Sequence, residues 1–133
     1  MISEERLNWV AAALKCKDLD SQLAILNSEE EDTFLKALLI PDEKNLEGWY
    51  IGAQDIDNAF NFLWIDGTPM EGGYTNWHEG EPNNNNEGLG PEHCALKYSK
   101  NAISAKNDYL QWNDVPCFLE LLYICQKPAP GKK

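Results

Sequence analysis

The stretch Gly80-Glu81-Pro82-Asn83 decides our interpretation of the whole chain, together with Trp112-Asn113-Asp114 about thirty residues downstream. Both stretches combine carboxylate and carboxamide side chains, and Glu92 between them adds a further carboxylate. Calcium ions in proteins take about six to eight oxygen ligands from carboxylates, amide carbonyls and water. The sequence therefore predicts one calcium site, with the candidate ligands Glu81, Asn83, Glu92, Asn113 and Asp114.

The mixture of residue types also predicts what the ion would bind. Asn side chains carry NH2 donors beside their carbonyl acceptors, whereas ionised carboxylates only accept hydrogen bonds. Two neighbouring hydroxyl groups fit this rim, because each can give a lone pair to the metal, accept from an amide and donate its proton to a carboxylate. This is the chemistry of a sugar diol, so the same five residues are candidate carbohydrate ligands.

Each motif has a simpler explanation when it is taken alone. Glu-Pro-Asn followed by further Asn residues is typical of a polar surface turn, and Trp-Asn-Asp is typical of a strand that runs into a turn. The functional interpretation depends on their joint occurrence with four cysteines, which are Cys16, Cys94, Cys117 and Cys125.

Length and composition indicate one globular domain. The chain has 133 residues, 11% of them aromatic, and contains no apolar run long enough to span a membrane. Acidic residues number 22 against 11 Lys and Arg, which gives a net charge of −11. Such a surface repels phosphate backbones and anionic lipid, so neither nucleic acid nor direct membrane insertion is expected.

The cysteines form an even set without a CxxC pair, which favours disulfides over zinc binding or thiol redox chemistry. Three connectivities are open from the residues alone. Disulfides imply an oxidising compartment, so we expect a secreted or extracellular protein, although the start Met1-Ile2-Ser3-Glu4-Glu5 lacks the features of a signal peptide. A cytosolic protein with reduced cysteines is the alternative.

The N-terminal region predicts an amphipathic helix that carries Cys16 in its last turn. Ser3 is a suitable N-cap, and apolar residues then recur at helical spacing. The core-facing positions expected from this pattern are Leu7, Trp9, Val10, Ala13 and Leu14. A short buried strand is predicted over residues 22–26.

A second helix is predicted to begin after Ser28. Ser28 and Glu31 form a capping box in front of an apolar stripe, and Pro41 ends the helix. The stripe contains Phe34, Leu35, Leu38 and Leu39. Acids in a first turn are favoured by the helix dipole, so the run from Glu29 to Asp32 is interpreted as helix-start chemistry and not as a metal site.

Beyond residue 48 the pattern changes to strands and one long irregular segment. Strands are predicted over residues 49–53, 60–65, 94–98, 109–112 and 121–125. Residues 68–91 are rich in Gly, Pro and Asn and lack apolar periodicity, which in a compact domain is typical of a functional segment. Helices first and strands later predict an α+β domain over residues 1–127, followed by a flexible tail over 128–133.

In sequence order, these landmarks resemble the C-type lectin-like domain family over nearly the whole chain. The motifs that match are Tyr50-Ile51-Gly52-Ala53, Trp64-Ile65-Asp66-Gly67, Tyr74-Thr75-Asn76-Trp77, Gly80-Glu81-Pro82-Asn83, Trp112-Asn113-Asp114 and the four cysteines. The resemblance implies the C-type lectin fold, with two helices packed on small antiparallel sheets and a long irregular calcium-binding loop region. It also implies the disulfides Cys16–Cys125 and Cys94–Cys117.

The function that the resemblance implies is calcium-dependent carbohydrate binding. In sugar-binding members the Glu-Pro-Asn and Trp-Asn-Asp motifs hold one calcium ion, to which the sugar diol binds directly. Members with Glu-Pro-Asn prefer equatorial 3- and 4-hydroxyls, so mannose-type, glucose-type or fucose-type glycans are the expected partners. Pro82 resembles the family's cis-proline.

The chain departs from the family pattern where some members bind an auxiliary calcium ion. Asp55 is retained, but Ala59, Asn84 and His93 stand where carboxylates would be expected, so we expect this second site to be absent or weak. The segment 84–91 is also longer than in compact mannose binders, a departure that puts in doubt whether Glu92 reaches the metal.

The N-terminal strand that usually precedes the first helix looks truncated, because only Met1 and Ile2 remain of it. Its loss is expected to leave an unpaired edge beside the C-terminal strand.

Alternatives to a lectin stay open from the sequence. A domain of the same fold could bind protein without sugar, and ice binding through the same surface is a more remote option. An enzyme is not expected: Glu81 and Glu92 lack the apolar pocket that a glycosidase acid needs, and no GxSxG or HExxH motif is present. Because a single sugar site binds weakly, we expect useful affinity to require several sites presented together, as in an oligomer.

Overall fold

The computed structural model describes residues 1–55, 61–78, 80–82, 93–102 and 110–127. These ranges contain the helices α1 (Trp9–Asp18) and α2 (Glu29–Leu39) and the strands β1 (Gln22–Leu23), β2 (Gly48–Asp55), β3 (Phe62–Trp64), β4 (Cys94–Tyr98), β5 (Trp112–Val115), β6 (Leu122–Tyr123) and β7 (Cys125–Gln126). The predicted α+β class is confirmed. Neither helix in these ranges has the length and apolar composition that crossing a bilayer needs, and the predicted tail over 128–133 lies outside the described residues.

Helix α1 begins later than the sequence predicted. Its N-cap is Asn8, whose Oδ1 accepts the N–H of Ala11 at 2.8 Å. The face that it buries contains Trp9, Ala12 and Cys16. Val10 and Leu14, predicted to be buried, are 57% and 58% exposed. The predicted cap, Ser3, was wrong because that residue is used in a pairing with the far end of the chain.

Residues 1–7 run antiparallel to the C-terminal strands. The Ser3 N–H donates to the carbonyl of Tyr123 at 2.9 Å, and the Ser3 Oγ accepts the Tyr123 N–H at 2.9 Å. Leu7 and Leu121 exchange two backbone hydrogen bonds of 3.0 Å. The prediction of an unpaired edge beside the C-terminal strand was therefore wrong.

Helix α2 begins as predicted, with the Ser28 Oγ accepting the N–H of Glu31 at 3.2 Å. The face that it buries contains Asp32, Leu35 and Leu39. Phe34 and Leu38 are 69% and 53% exposed, so the predicted apolar stripe combined two neighbouring faces of the helix. The buried face includes a carboxylate that apolar periodicity did not indicate.

The main sheet has the strand order β3-β2-β4-β5, with neighbours antiparallel, and the short strand β6 pairs in parallel with β2. Strands β1 and β7 form a separate antiparallel pair. Strand β5 begins at Trp112, whereas the predicted strand ended there. The Trp-Asn-Asp motif therefore forms the first three residues of a strand and does not follow the end of one.

Two buried clusters lie on opposite faces of the main sheet. Along β4, Ala95 belongs to the first cluster with Trp49 and Trp112, while Cys94 and Leu96 belong to the second. Successive strand side chains point to opposite faces, so this division places core on both sides. Strand β4, the neighbour of the strand with the Trp-Asn-Asp motif, is consequently packed against core residues on both of its faces.

Two disulfides close the domain, and both follow the predicted pairing. Cys16 on α1 is bonded to Cys125 on β7, and Cys94 on β4 is bonded to Cys117 beyond β5. No cysteine in the described ranges is free. The second bridge joins β4 to the residues that follow β5, close to the Trp-Asn-Asp motif.

Candidate functional site

Strand β5 carries two of the predicted ligands. Asn113 lies opposite Leu96 and Asp114 lies opposite Ala95 in the antiparallel register with β4. Because side chains alternate along a strand, Asn113 and Asp114 leave β5 on opposite faces. An ion held by both would therefore lie at the strand edge and not over either face.

The neighbour of β5 on its other side is the segment 76–78. The Trp112 N–H donates to the Asn76 carbonyl at 2.8 Å, and the His78 N–H donates to the Trp112 carbonyl at 2.8 Å. The Glu81 N–H in turn donates to the His78 carbonyl at 2.9 Å. Glu81 thus lies one turn beyond a segment that is hydrogen-bonded to the strand with the other motif.

Three of the five predicted ligands lie in the described ranges, and they are Glu81, Asn113 and Asp114. Hydrogen bonding brings their two segments side by side, as described above. Asn83 and Glu92 lie outside the described residues. The five-ligand set stays a prediction. The peptide bond between Glu81 and Pro82 is cis, as the family resemblance implied.

The Asn113 side chain fits a cation ligand. Its Oδ1 is buried and has no hydrogen-bond partner in the part of the chain that the structure describes. Leaving a buried acceptor unsatisfied costs about 1–3 kcal/mol, and native proteins rarely do so without a reason. On its face of β5, Asn113 lines a cavity of about 260 Å³ whose walls are mostly apolar, so few protein donors are available to it.

Carboxylates of the described residues do not form a metal centre by themselves. Across those ranges, no group of three or more His, Cys, Asp or Glu side chains could hold an ion. Asp114 is fully buried and Glu81 is half-buried. Carboxylate and amide oxygens are the hard ligands that calcium prefers, so the available donor types fit calcium when the Asn residues are included.

At the position of the auxiliary calcium site, Asp55 lies beside a histidine. The Asp55 Oδ2 is 3.6 Å from the His93 Nδ1, and the Asp55 N–H donates to the His93 carbonyl at 2.7 Å. Ala59 and Asn84 lie outside the described residues. The expectation that a second calcium site is absent or weak therefore stays a prediction.

Sequence reasoning missed a buried ion pair beneath the two motif-bearing segments. The Lys97 Nζ is 2.5 Å from the Asp32 Oδ1, and the two side chains are 1% and 2% exposed. The Nζ also donates to the Leu110 carbonyl at 2.8 Å. Lys97 was the visible signal, because a lysine within the otherwise apolar strand Cys94–Tyr98 needs a partner if it is buried.

The second oxygen of Asp32 holds the start of the long irregular segment. The Tyr74 hydroxyl and the Asn76 Nδ2 each donate to the Asp32 Oδ2 at 2.8 Å. The Trp112 Nε1 lies 3.5 Å from the Asp32 Oδ1. One carboxylate on α2 therefore contacts three different segments of the site region.

The surroundings of this network shift two pKa values. Burial lowers the pKa of the Lys97 ammonium, although the Asp32 carboxylate acts in the opposite direction. Burial raises the pKa of Tyr74, and the hydrogen bond to Asp32 and its negative charge raise it further. The Tyr74 hydroxyl consequently stays protonated and acts as a hydrogen-bond donor at neutral pH.

Comparison with known proteins gives a consistent result. The sequence profile of the family described as Lectin C-type domain matches residues 5–127. Hepatic lectin of Gallus gallus is 33% identical over 128 residues, which are 96% of this chain and 54% of that protein. The chain thus spans about half the length of this relative.

Solved structures of carbohydrate-recognition domains match the fold. The carbohydrate-recognition domain of mouse scavenger receptor C-type lectin gives a TM-score of 0.75 at 32% identity, covering 93% of this chain and 85% of that one. The C-type carbohydrate-recognition domain of cow CD23, solved in the presence of a GlcNAc2Man3 oligosaccharide, gives a TM-score of 0.72 at 30% identity, covering 93% and 82% of the two chains.

Proposed function

The chain belongs to the C-type lectin domain family and has its fold, and from this premise we propose that it binds carbohydrate in a calcium-dependent manner. The observation that carries the proposal is the buried Asn113 Oδ1, which lacks a hydrogen-bond partner among the described residues. It stands on the strand that also carries Asp114, beside the segment that leads to Glu81. A cation at this edge of the strand would give the Asn113 Oδ1 a binding partner. It would also explain why carboxylate and amide side chains are grouped in these two segments.

We assign the metal ligands to five side chains. They are Glu81, Asn83, Glu92, Asn113 and Asp114. When bound, calcium supplies a positive centre to which two neighbouring hydroxyl oxygens of a sugar can attach. The residues of the chain then orient those hydroxyls, because the Asn NH2 groups donate to them and the carboxylates accept their protons.

The sugar class that we propose is mannose-type, with equatorial 3- and 4-hydroxyls. The support is the Glu81-Pro82-Asn83 motif, together with the similarity to the cow CD23 domain that was solved with a mannose-containing oligosaccharide. The two disulfides favour a secreted or extracellular setting, since such bonds persist in oxidising compartments. Several copies presented together would raise a weak single-site affinity.

The test is retention on immobilised mannan, paired with calcium titration calorimetry of the same oxidised protein. We expect the protein to be retained in calcium, released by a chelator, and not retained on immobilised galactose. Calcium uptake without retention on either sugar would favour the alternative of a domain that contacts protein ligands and not glycans. Absence of calcium uptake would overturn the proposal.

A further inference from the structure

We propose that the buried Asp32–Lys97 ion pair is a positioning device for the calcium and sugar site, an inference that rests on the proposed function. The pair lies on α2 and β4 and includes none of the five assigned ligands. Its hydrogen bonds extend to the segment that leads to Glu81 and to the entry of the strand that carries Asn113 and Asp114. It therefore acts on the site through the backbone and not by contact with the ion.

Stability alone does not account for this pair. Both side chains are almost fully buried, and desolvating two charges usually offsets or exceeds their mutual attraction. Two apolar side chains of similar volume would fill the same space without that penalty. What an ion pair supplies and apolar residues do not is a set of directed hydrogen bonds that hold specific partners in place.

One arm of the network holds the segment that leads to Glu81. The Asp32 Oδ2 accepts hydrogen bonds from the Tyr74 hydroxyl and the Asn76 Nδ2, each at 2.8 Å. Asn76 in turn accepts the Trp112 N–H through its carbonyl at 2.8 Å. The same asparagine therefore links α2 to the strand that carries the Trp-Asn-Asp motif.

The other arm holds the entry to β5. Lys97 lies opposite Trp112 in the sheet. Its Nζ donates to the carbonyl of Leu110, two residues before Trp112, at 2.8 Å. Leu110 has a φ of 50°, a left-handed conformation that is unfavourable for a residue with a Cβ atom. The ammonium thus stabilises an unfavourable backbone conformation at Leu110, two residues before the metal-binding motif, and so helps to fix where the motif begins.

The first experiment compares two tyrosine-to-phenylalanine variants. Tyr74→Phe removes the 2.8 Å bond to Asp32. The matched control Tyr123→Phe removes a 3.2 Å bond to Glu5 from β6, which β2 and β4 separate from β5. Both remove a hydroxyl that bonds to a carboxylate. We expect the calcium dissociation constant to rise about threefold in Tyr74→Phe and to stay unchanged in Tyr123→Phe. The threefold effect is smaller than that of losing a residue bonded directly to a metal ligand.

The second experiment removes the charge. In Asp32→Asn we expect calcium affinity to fall about tenfold, which is the lower end of the losses seen when a residue that supports metal ligands is replaced. Because this change leaves the Lys97 ammonium buried without its counter-charge, a double variant with Lys97→Met keeps the test usable if the single variant fails to fold. We expect the double variant to be folded, judged by its near-ultraviolet circular dichroism, and still about tenfold weaker for calcium.

These measurements separate the positioning role from a structural role and from the proposed function. If the wild-type protein binds calcium and the folded variants at positions 32, 74 and 97 bind it equally tightly, the positioning role is overturned and the lectin proposal stands. If the wild-type protein takes up no calcium, both proposals fail. Weaker binding by Tyr123→Phe to the same extent as Tyr74→Phe would indicate a general stability effect and also overturn the positioning role.

Discussion

The Trp112 N–H donates to the carbonyl of Asn76 at 2.8 Å, so the start of the Trp-Asn-Asp strand is joined to the long irregular segment by its backbone. The segment 76–78 thereby acts as a short neighbour to β5, although it is not itself a regular strand. Aromatic packing strengthens this junction, since the rings of Trp77 and Trp112 pack edge to face with their centroids 5.8 Å apart. The Trp-Asn-Asp motif is thus joined by sheet-like bonding and ring contacts to the segment that leads to Glu81.

Replacing Asn113 by Asp separates sugar binding from metal binding. The change keeps an oxygen ligand and adds negative charge, but it removes the NH2 donor that we assign to a sugar hydroxyl. We expect mannan retention to fall about tenfold or more, as for a lost hydrogen bond in a polar site, while calcium affinity changes by less. Asn83→Asp should behave in the same way. Calorimetry with calcium and a mannan column measure the two effects.

The control for these substitutions is Asn27→Asp, which makes the same chemical change at an exposed residue before α2. Its retention should equal that of the wild-type protein. Normal retention by both site variants would show that the donor arrangement proposed for the diol is incorrect.

Loss of the two disulfides should destabilise the domain unequally. The Cys16–Cys125 bridge closes a separation of 109 residues and the Cys94–Cys117 bridge one of 23. In the loop-entropy account these contribute about 4.7 and about 3 kcal/mol to the free energy of unfolding. Urea denaturation of the paired variants Cys16→Ala with Cys125→Ala, and Cys94→Ala with Cys117→Ala, measures the difference. Equal losses would contradict the ranking.

Alkaline pH should destabilise the domain through Tyr50, which is buried, and Tyr74, which is half-buried. Burial raises the pKa of Tyr50, with the Glu47 charge as a smaller cause, and burial together with Asp32 raises that of Tyr74. A raised folded-state pKa gives stability that is complete below the unfolded pKa of about 10 and is lost as pH rises above it.

The lowered pKa of Lys97 acts with the opposite sign. Stability gained from it rises with pH but is complete by the unfolded lysine pKa of about 10.4, so the tyrosines dominate above that value. We expect the urea midpoint to fall above about pH 10.5. Tyr74→Phe should fall less steeply, which denaturation at several pH values checks. An identical slope in that variant would contradict the assignment.

The start of α1 gives a local test of the fold. Asn8→Ala removes the oxygen that accepts the Ala11 N–H and should lower the free energy of unfolding by about 1 kcal/mol. Asn8→Asp keeps a capping oxygen and serves as the matched control, with a change of a few tenths of a kcal/mol at most. Urea denaturation measures both. An unchanged stability in Asn8→Ala would mean that the cap contributes nothing.

Local signals in the sequence predicted part of the fold correctly. The Ser28 cap of α2 was identifiable because it depends on residues within one helical turn. The bounds of β4, Cys94–Tyr98, agreed with the predicted strand, since an apolar run interrupted only by Lys97 and lying between polar segments marks a buried strand. The disulfide pairing followed from the family resemblance and not from the residues alone.

Features that depend on distant residues escaped the sequence. Ser3 and Asn8 are both good helix caps, and the choice between them is made by Tyr123, which is 120 residues from Ser3 in the chain. Asp32 and Lys97 are 65 residues apart, so nothing local shows that they meet. Apolar periodicity assigned α2 a face that contained only leucine and phenylalanine, and it overlooked the buried carboxylate.

The pairing of residues 1–7 with the C-terminal strands has a practical consequence. The Met1 amino group donates to the Cys125 carbonyl at 2.7 Å, and the Cys125 N–H donates back to the Met1 carbonyl at 2.8 Å. Positions 1 and 125 therefore lie side by side, which is the geometry that insertion into a host protein requires. Because the two positions are adjacent, the domain can be inserted into an exposed hairpin of a carrier protein with short linkers at both ends.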